Sequence, residues 1–347
     1  MGENFCQTLI DFGVRHLLEM LGSSYLDEQK RIFDSTACRE VRLGVLGDQG
    51  NRRFLDPDAL SRLASIPLFA RKAMVGSVSG MHASPHRGSS VEFAEYRRYI
   101  PGDDLRRLDW RAYGRTDRYY VKEFEADTNL RLCLLLDISG SMNFVSNGVS
   151  KLEYARRLAA TLGYLAVQQS DAVGLTCLGE KPPPILPPRR TPSHLRGLND
   201  QLQEVVALGE TTLIDGLHEF AETVQQRALV VVISDLFVDA DALRGALEHL
   251  RFRRHDVALF HLLDDQEIDF DFSRPTRFVD LEGETSVFAD PTEVLDRYQR
   301  ILTDYLDQLQ KICSESAIDY QRVMLSRDYE KVLHEFLARR ATARGGR

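Results

Sequence analysis

The stretch LRLCLLLDISGSMNF, residues 130–144, decides how this chain is read. An apolar run from Leu130 to Leu136, broken only by Arg131, stops at Asp137, and hydroxyls follow at Ser139 and Ser141. A continuous apolar run of this kind fits a strand buried on both faces. The same pattern recurs downstream, with strands expected at 130–136, 172–178, 228–234, 257–263 and 318–325. Helical spacing fills the intervals at 151–169, 193–206, 213–226, 240–251 and 291–314. Apolar strands joined by helices imply a parallel sheet covered on both faces, because a crossover helix lets neighbouring strands run the same way. The expected class is therefore α/β, with a doubly wound, mostly parallel, Rossmann-like sheet. Ligands of such sheets bind outside the carboxyl ends of the strands, where strand order reverses. Asp137 stands at one of those ends.

Asp137, Ser139 and Ser141 are spaced i, i+2 and i+4, and Gly140 permits the tight turn that aims them at one point. One carboxylate with two hydroxyls is a hard, all-oxygen set, suited to Mg²⁺ or Mn²⁺ rather than zinc. Two more oxygen ligands are expected from other strand ends: Thr211 in GETTL and Asp235 in VVVISDLF. Thr212 follows directly, so the register between Thr211 and Thr212 stays open. The plain alternative is a strand-to-helix turn with capping serines and no metal, and it accounts for neither Thr211 nor Asp235.

Bulk properties narrow the function classes. The chain has 347 residues, 43% hydrophobic and 28% charged, as a soluble globular protein does. A formal net charge of -8 argues against coating nucleic acid, which needs clustered positive charge. The five cysteines form no CxxC pair, so neither a disulfide framework nor a zinc site is expected, and a cytoplasmic location is. Cys133 and Cys177 lie inside expected strands and read as small buried hydrophobes. Nothing reaches the roughly 18 apolar residues of a transmembrane helix, so no membrane span is expected.

Residues 3–21 carry apolar side chains at helical spacing, including Phe5, Leu9, Val14 and Leu18, and read as a helix packed on the body. Asp56-Pro57 opens another helix, expected to run to about Lys72. The division is thus a partly helical extension at 1–56, an accessory segment with strands at 57–128 and the α/β domain at 129–340. Within the accessory segment, residues 86–125 hold nine Lys or Arg against eight Asp or Glu, a mixed network and not a nucleic-acid surface. YIPGDD reads as a turn and RYYVKEFE as a strand. Arg97, Arg98, Asp103, Asp104, Arg106, Asp109 and Arg111 are expected to pair with one another beside Trp110, as an ion-paired scaffold or a partner-docking surface. His82 and His86 are four apart, but Pro85 breaks a helical two-histidine metal face. KPPPILPPRRTP, residues 181–192, reads as a surface loop, with a polyproline grip for a partner as the alternative.

DISGS followed by a loop threonine and an Asp after an apolar strand resembles the metal-ion-dependent adhesion site of von Willebrand factor A domains. The resemblance implies that Ser139, Ser141 and Thr211 coordinate the ion directly or through water. It also implies that Asp137 and Asp235 act mostly through water, leaving one position for a carboxylate supplied by a partner. This chain departs from the pattern at Thr212, where that family often has Asp. The charged segment, from HxSxxRGxxxEFxEYR through PGDDxRxxDWRA to VKEFE, resembles the bacterial family called domain of unknown function 58, over roughly residues 57–340. This second resemblance implies a partnership with MoxR-type AAA+ ATPases.

Enzyme readings find less support. A haloacid-dehalogenase phosphatase needs a second Asp where Ser139 stands, GLTCLGEKP lacks the P-loop lysine, and no G-x-S-x-G elbow is present. A divalent-metal hydrolase built on Asp137 and Asp235 is the remaining enzymatic alternative, without a nominated base. A scaffold with a vestigial metal site is the third reading. The expectation is a non-enzymatic, metal-dependent module that captures an Asp or Glu of a protein partner.

Overall fold

The computed structural model describes residues 54–70, 83–84, 92–98, 113–114, 119–127, 130–145, 148–272, 274–279, 281–282 and 286–345. Helix α1 (Pro57–Leu63) precedes the strands β1 (Ala83–Ser84), β2 (Glu92–Arg98), β3 (Tyr120–Asp127) and β4 (Arg131–Asp137). Then come α2 (Lys151–Gln168), β5 (Ala172–Leu178), β6 (Leu186–Arg189), α3 (Pro192–Glu204), α4 (Leu213–Thr223) and β7 (Leu229–Ser234). The chain continues with α5 (Ala240–Phe252), β8 (Asp256–Leu263), α6 (Asp265–Asp269), β9 (Thr276–Val279) and β10 (Ser286–Ala289). It closes with α7 (Pro291–Glu315), β11 (Asp319–Met324) and α8 (Tyr329–Gly345).

Six strands form one sheet in the order β11-β8-β7-β4-β5-β6. Every pairing in it is parallel except β5 with β6. The chain winds outward from β4 through β5 and β6, then returns to the other side of β4 for β7, β8 and β11. Strand order therefore reverses between β4 and β7, and the carboxyl ends of those two strands flank the crevice where a doubly wound sheet binds ligands. This is the α/β architecture expected from the alternation of apolar strands and helices.

Burial explains why the strands read as unbroken apolar runs. All six residues of β7 and all eight of β8 are buried, since helices cover both faces. Leu132, Leu134 and Leu136 pack with Leu158 and Leu162 of α2 on one face, while Cys133 and Leu135 meet Leu217 of α4 and Leu247 of α5 on the other. Phe54, Leu63 and Leu68 join the first of these cores, which ties residues 54–70 to the large sheet. A third cluster gathers Phe144, Leu263, Phe270, Phe278 and Tyr298 around the antiparallel β9–β10 hairpin.

Four features differ from the sequence reading. Helix α1 ends at Leu63 instead of near Lys72, because Pro67 lacks an N–H and pushes Ile66 out of helical conformation. The proline segment contributes β6, whose Pro187 and Pro188 are tolerated because it is the sheet's edge. A Cβ at Gly174 of β5 would sit 2.7 Å from the carbonyl oxygen of Leu186, so the β5–β6 pairing needs glycine there. The β9–β10 hairpin and helix α8 have no counterpart in the sequence reading; α8 buries Val332, Leu333, Phe336 and Leu337.

The β1, β2 and β3 strands form a separate antiparallel sheet in the order β1-β3-β2, and β3 is the strand expected from RYYVKEFE. The helix at 3–21, His82, His86, the YIPGDD turn, Asp103, Asp104, Arg106, Asp109, Trp110 and Arg111 lie outside the described residues. Arg97 and Arg98 are described as backbone within β2, without their side chains.

Candidate metal centre

The crevice between β4 and β7 is built by local hydrogen bonding before any ligand is considered. Asp137, the last residue of β4, is 1% exposed. Its Oδ1 accepts the Ser139 N–H at 2.9 Å, which folds the chain back over the strand end. Its Oδ2 accepts the Ser234 hydroxyl at 2.6 Å, joining β4 to β7. The Ser139 and Ser141 hydroxyls are 3.0 Å apart and both buried, so the i+2 and i+4 spacing does converge as expected.

A second layer crosses this turn. Gly140 N–H donates to Gly209 O at 2.9 Å, and Leu208 N–H donates to Ile138 O at 2.9 Å, so the loop carrying Thr211 is hydrogen-bonded to the DISGS turn. The Thr211 hydroxyl accepts the Leu213 N–H at 3.3 Å, whereas Thr212 occupies the cap position of α4 without a side-chain cap bond. Beyond Thr211, the hairpin turn approaches: Thr211 N–H donates to Glu282 Oε2 at 3.0 Å. A Cβ on Gly140 would collide with the carbonyl oxygen of Leu281. Gly140 is thus required by a close backbone approach as well as by the turn.

Asp235 follows β7 and is 3% exposed, but it is not held by the serines. Lys151, the first residue of α2 and fully buried, donates to Asp235 Oδ2 at 2.9 Å and to Glu267 Oε1 at 2.6 Å. Its ammonium also stands 4.9 Å from the Phe237 ring centroid and 5.5 Å from that of Phe144. Burial alone would favour neutral lysine, but Asp235 and Glu267 outweigh it and hold Lys151 above its ordinary range. Lys151 and Glu267 are the site residues that the sequence reading missed. In sequence Lys151 reads only as a helix start, and its one signal is an uncompensated cation opening an otherwise apolar helix face.

The electrostatics leave negative charge over. Asp137, Asp235 and Glu267 are three buried carboxylates against the single ammonium of Lys151, a surplus of two charges if all are ionised. Burial and then the neighbouring Asp235 push the Asp137 carboxyl up to about 7, with the Ser234 and Ser139 bonds pulling the other way. Burial likewise raises Glu267. His261 on β8 adds no positive charge, since burial pushes it down to about 3. Among the described residues no group of three or more His, Cys, Asp or Glu has metal-binding geometry. The hydroxyl-rich set of Asp137, Ser139 and Ser141, in a cluster short of positive charge, fits a small divalent cation of the Mg²⁺ type. Cys133, Cys177 and Cys313 are buried free thiols, each pushed up to about 12 by burial, so none serves as a reactive nucleophile.

Comparison with known proteins gives the family of the chain. The profile of the family described as "Protein of unknown function DUF58" matches residues 95–304. The chain belongs to that family. The match is narrower than the 57–340 over which the motif resemblance was read. A relative, the uncharacterized protein Rv1480 of Mycobacterium tuberculosis, is 27% identical over 220 residues, covering 62% of this chain and 68% of its own length. Among solved structures, the SpRpn10 VWA domain is 12% identical, covers 60% of this chain and 95% of that domain, and has a TM-score of 0.36. An aerotolerance-related membrane protein from Bacteroides fragilis is 18% identical, with 61% and 100% coverage and a TM-score of 0.39. The doubly wound α/β fold of this chain rests on its own strand order, β11-β8-β7-β4-β5-β6, with β6 as the antiparallel edge.

The expected cytoplasmic location does not stand. A structural neighbour of this family member is described as a membrane protein, and unpaired cysteines do not distinguish a cytoplasmic protein from a membrane-associated one facing the same reducing compartment. Among the described residues no helix is long and apolar enough to cross a membrane.

Proposed function

We propose that this protein is a cation-dependent capture module. A Mg²⁺ or Mn²⁺ ion is held by Asp137, Ser139 and Ser141, with Thr211 from the loop before α4 and Asp235 from the end of β7, and a partner's Asp or Glu completes the shell. The observation that carries the reading is the oxygen cluster at the β4–β7 switch point, where buried carboxylates outnumber buried cations. Few charged groups touch the position between the serines, so a bound ion keeps an electrophilic face for an incoming carboxylate. The partner class implied by the family resemblance is a MoxR-type AAA+ ATPase. The charged segment at 86–125, with Arg97, Asp103, Asp104, Arg106, Asp109, Trp110 and Arg111, is a second docking surface in this reading.

A test uses the purified full chain as bait for a MoxR-type ATPase, with Mg²⁺ or EDTA, and Asp137→Ala beside the wild type. Retention only by wild type with Mg²⁺ is the expected result. Retention indifferent to both metal and Asp137 overturns the capture mechanism and moves attention to the charged segment. One observation favours a second reading, a metal-free scaffold: Lys151 already supplies a fixed cation to Asp235. That reading requires Mg²⁺ to leave thermal stability unchanged.

A further inference from the structure

The hairpin between β9 and β10 is a built element that ends on the candidate cation site. Its strands pair from Ser286 with Val279 to Ala289 with Thr276. Phe278 of β9 is 2% exposed and stacks on Phe270 at 5.5 Å, which anchors the hairpin in the third core. From that anchor the turn reaches the DISGS loop. The Leu281 carbonyl occupies the space a side chain at Gly140 would need, and the Glu282 carboxylate accepts the Thr211 N–H at 3.0 Å. A carboxylate thus lies beside a proposed cation ligand, delivered by the chain's own backbone.

We propose that Glu282 is the intramolecular carboxylate ligand of the cation site. The β9–β10 hairpin then fills the position that a partner's acidic residue takes over. This rests on the capture reading above and adds its regulation, since a partner's Asp or Glu must displace Glu282 and lift the Leu281–Glu282 turn from Gly140. Capture is accordingly an exchange of one carboxylate for another, with the charge at the ion unchanged. The Thr211 amide fixes one carboxylate oxygen of Glu282 at the loop that carries a proposed cation ligand.

The test is Mn²⁺ binding to the full chain without any partner, followed by titration and by water-proton relaxation, which counts waters on the bound ion. Glu282→Gln keeps an oxygen to accept the Thr211 N–H but removes the anionic ligand. It is expected to weaken Mn²⁺ by about tenfold and to raise the relaxivity of the bound ion as water replaces the carboxylate. Unchanged affinity and relaxivity in Glu282→Gln, with Mn²⁺ binding lost in Asp137→Ala, overturns the role of Glu282 and leaves the capture reading standing. Mn²⁺ binding that survives Asp137→Ala, or none to the wild type, overturns both.

Discussion

Buried ions gather at both ends of the large sheet, and the two gatherings are differently built. At the amino ends of β8 and β11, Arg340 of α8 is 1% exposed and bonds Asp256 at 3.0 and 3.3 Å, Asp319 at 3.1 Å and the Phe69 carbonyl at 2.9 Å. Its guanidinium lies 4.9 Å from the Phe336 ring centroid. One rigid fork therefore joins α8, two strands and the segment after α1. At the carboxyl ends, Lys151 serves Asp235 and Glu267, but Asp137 is held by a hydroxyl and an amide, both uncharged. The amino-end cluster brings a cation directly onto each of its carboxylates. Among the described residues, the carboxyl-end cluster leaves Asp137 without a cation in contact, at the place where a doubly wound sheet binds ligands. The lesson is that position and charge balance together separate a structural staple from a candidate binding site.

Removing Arg340 is the severest way to break the comparison. Arg340→Met strands Asp256 and Asp319 in the core and is expected to lower folding stability by about 3–5 kcal/mol, in EDTA and in Mg²⁺ alike, by chemical denaturation. Equal rescue by Mg²⁺ would mean that the amino-end cluster also takes a cation. Lys151→Met is expected to lower stability by about 3 kcal/mol in EDTA, with part of the loss recovered by Mg²⁺, since a divalent ion can offset Asp235. No recovery would show that the ion, if bound, does not reach that carboxylate.

The most gradual effect concerns pH. Asp137 titrates higher in the folded, metal-free protein than in the unfolded chain, where it is an ordinary carboxylate. As pH rises from about 4 toward 7, the unfolded state loses this proton first, so the folded state binds more protons and stability falls. The contribution is fully present below the ordinary carboxylate range and gone above about 7. Asp137→Asn, measured by thermal melting in EDTA across that window, is expected to flatten the slope by about 1 kcal/mol per pH unit. Mg²⁺ added to the wild type should flatten it too, because the ion holds Asp137 ionised in the folded state. A slope identical in wild type and Asp137→Asn would assign the titration elsewhere.

The legible part of the fold is the part governed by local pattern. The strands at 172–178 and 228–234 lie within a residue of β5 and β7, because a strand covered on both faces must be apolar throughout. Helix α2 begins at Lys151 as expected, with the Ser150 side chain accepting the Glu153 N–H at 3.0 Å. Strand β6 was hidden because Leu-Pro-Pro-Arg has no strand pattern of its own; it exists only because β5 offers an edge and Gly174 lets it approach. The hairpin was hidden for a related reason, since Phe278 needs Phe270 and Tyr298 to bury against.

The sequence by itself determined the doubly wound class, from the alternation of apolar strands and helices, and the convergence of Asp137, Ser139 and Ser141, from short spacings along one chain segment. Only the tertiary structure decided which charges meet. Lys151 lies 84 residues from Asp235 and 116 from Glu267, and Thr211 lies 71 from Glu282. A buried ion's partner is selected by which chain segments the packed core brings within hydrogen-bond reach. Local periodicity carries no record of that selection.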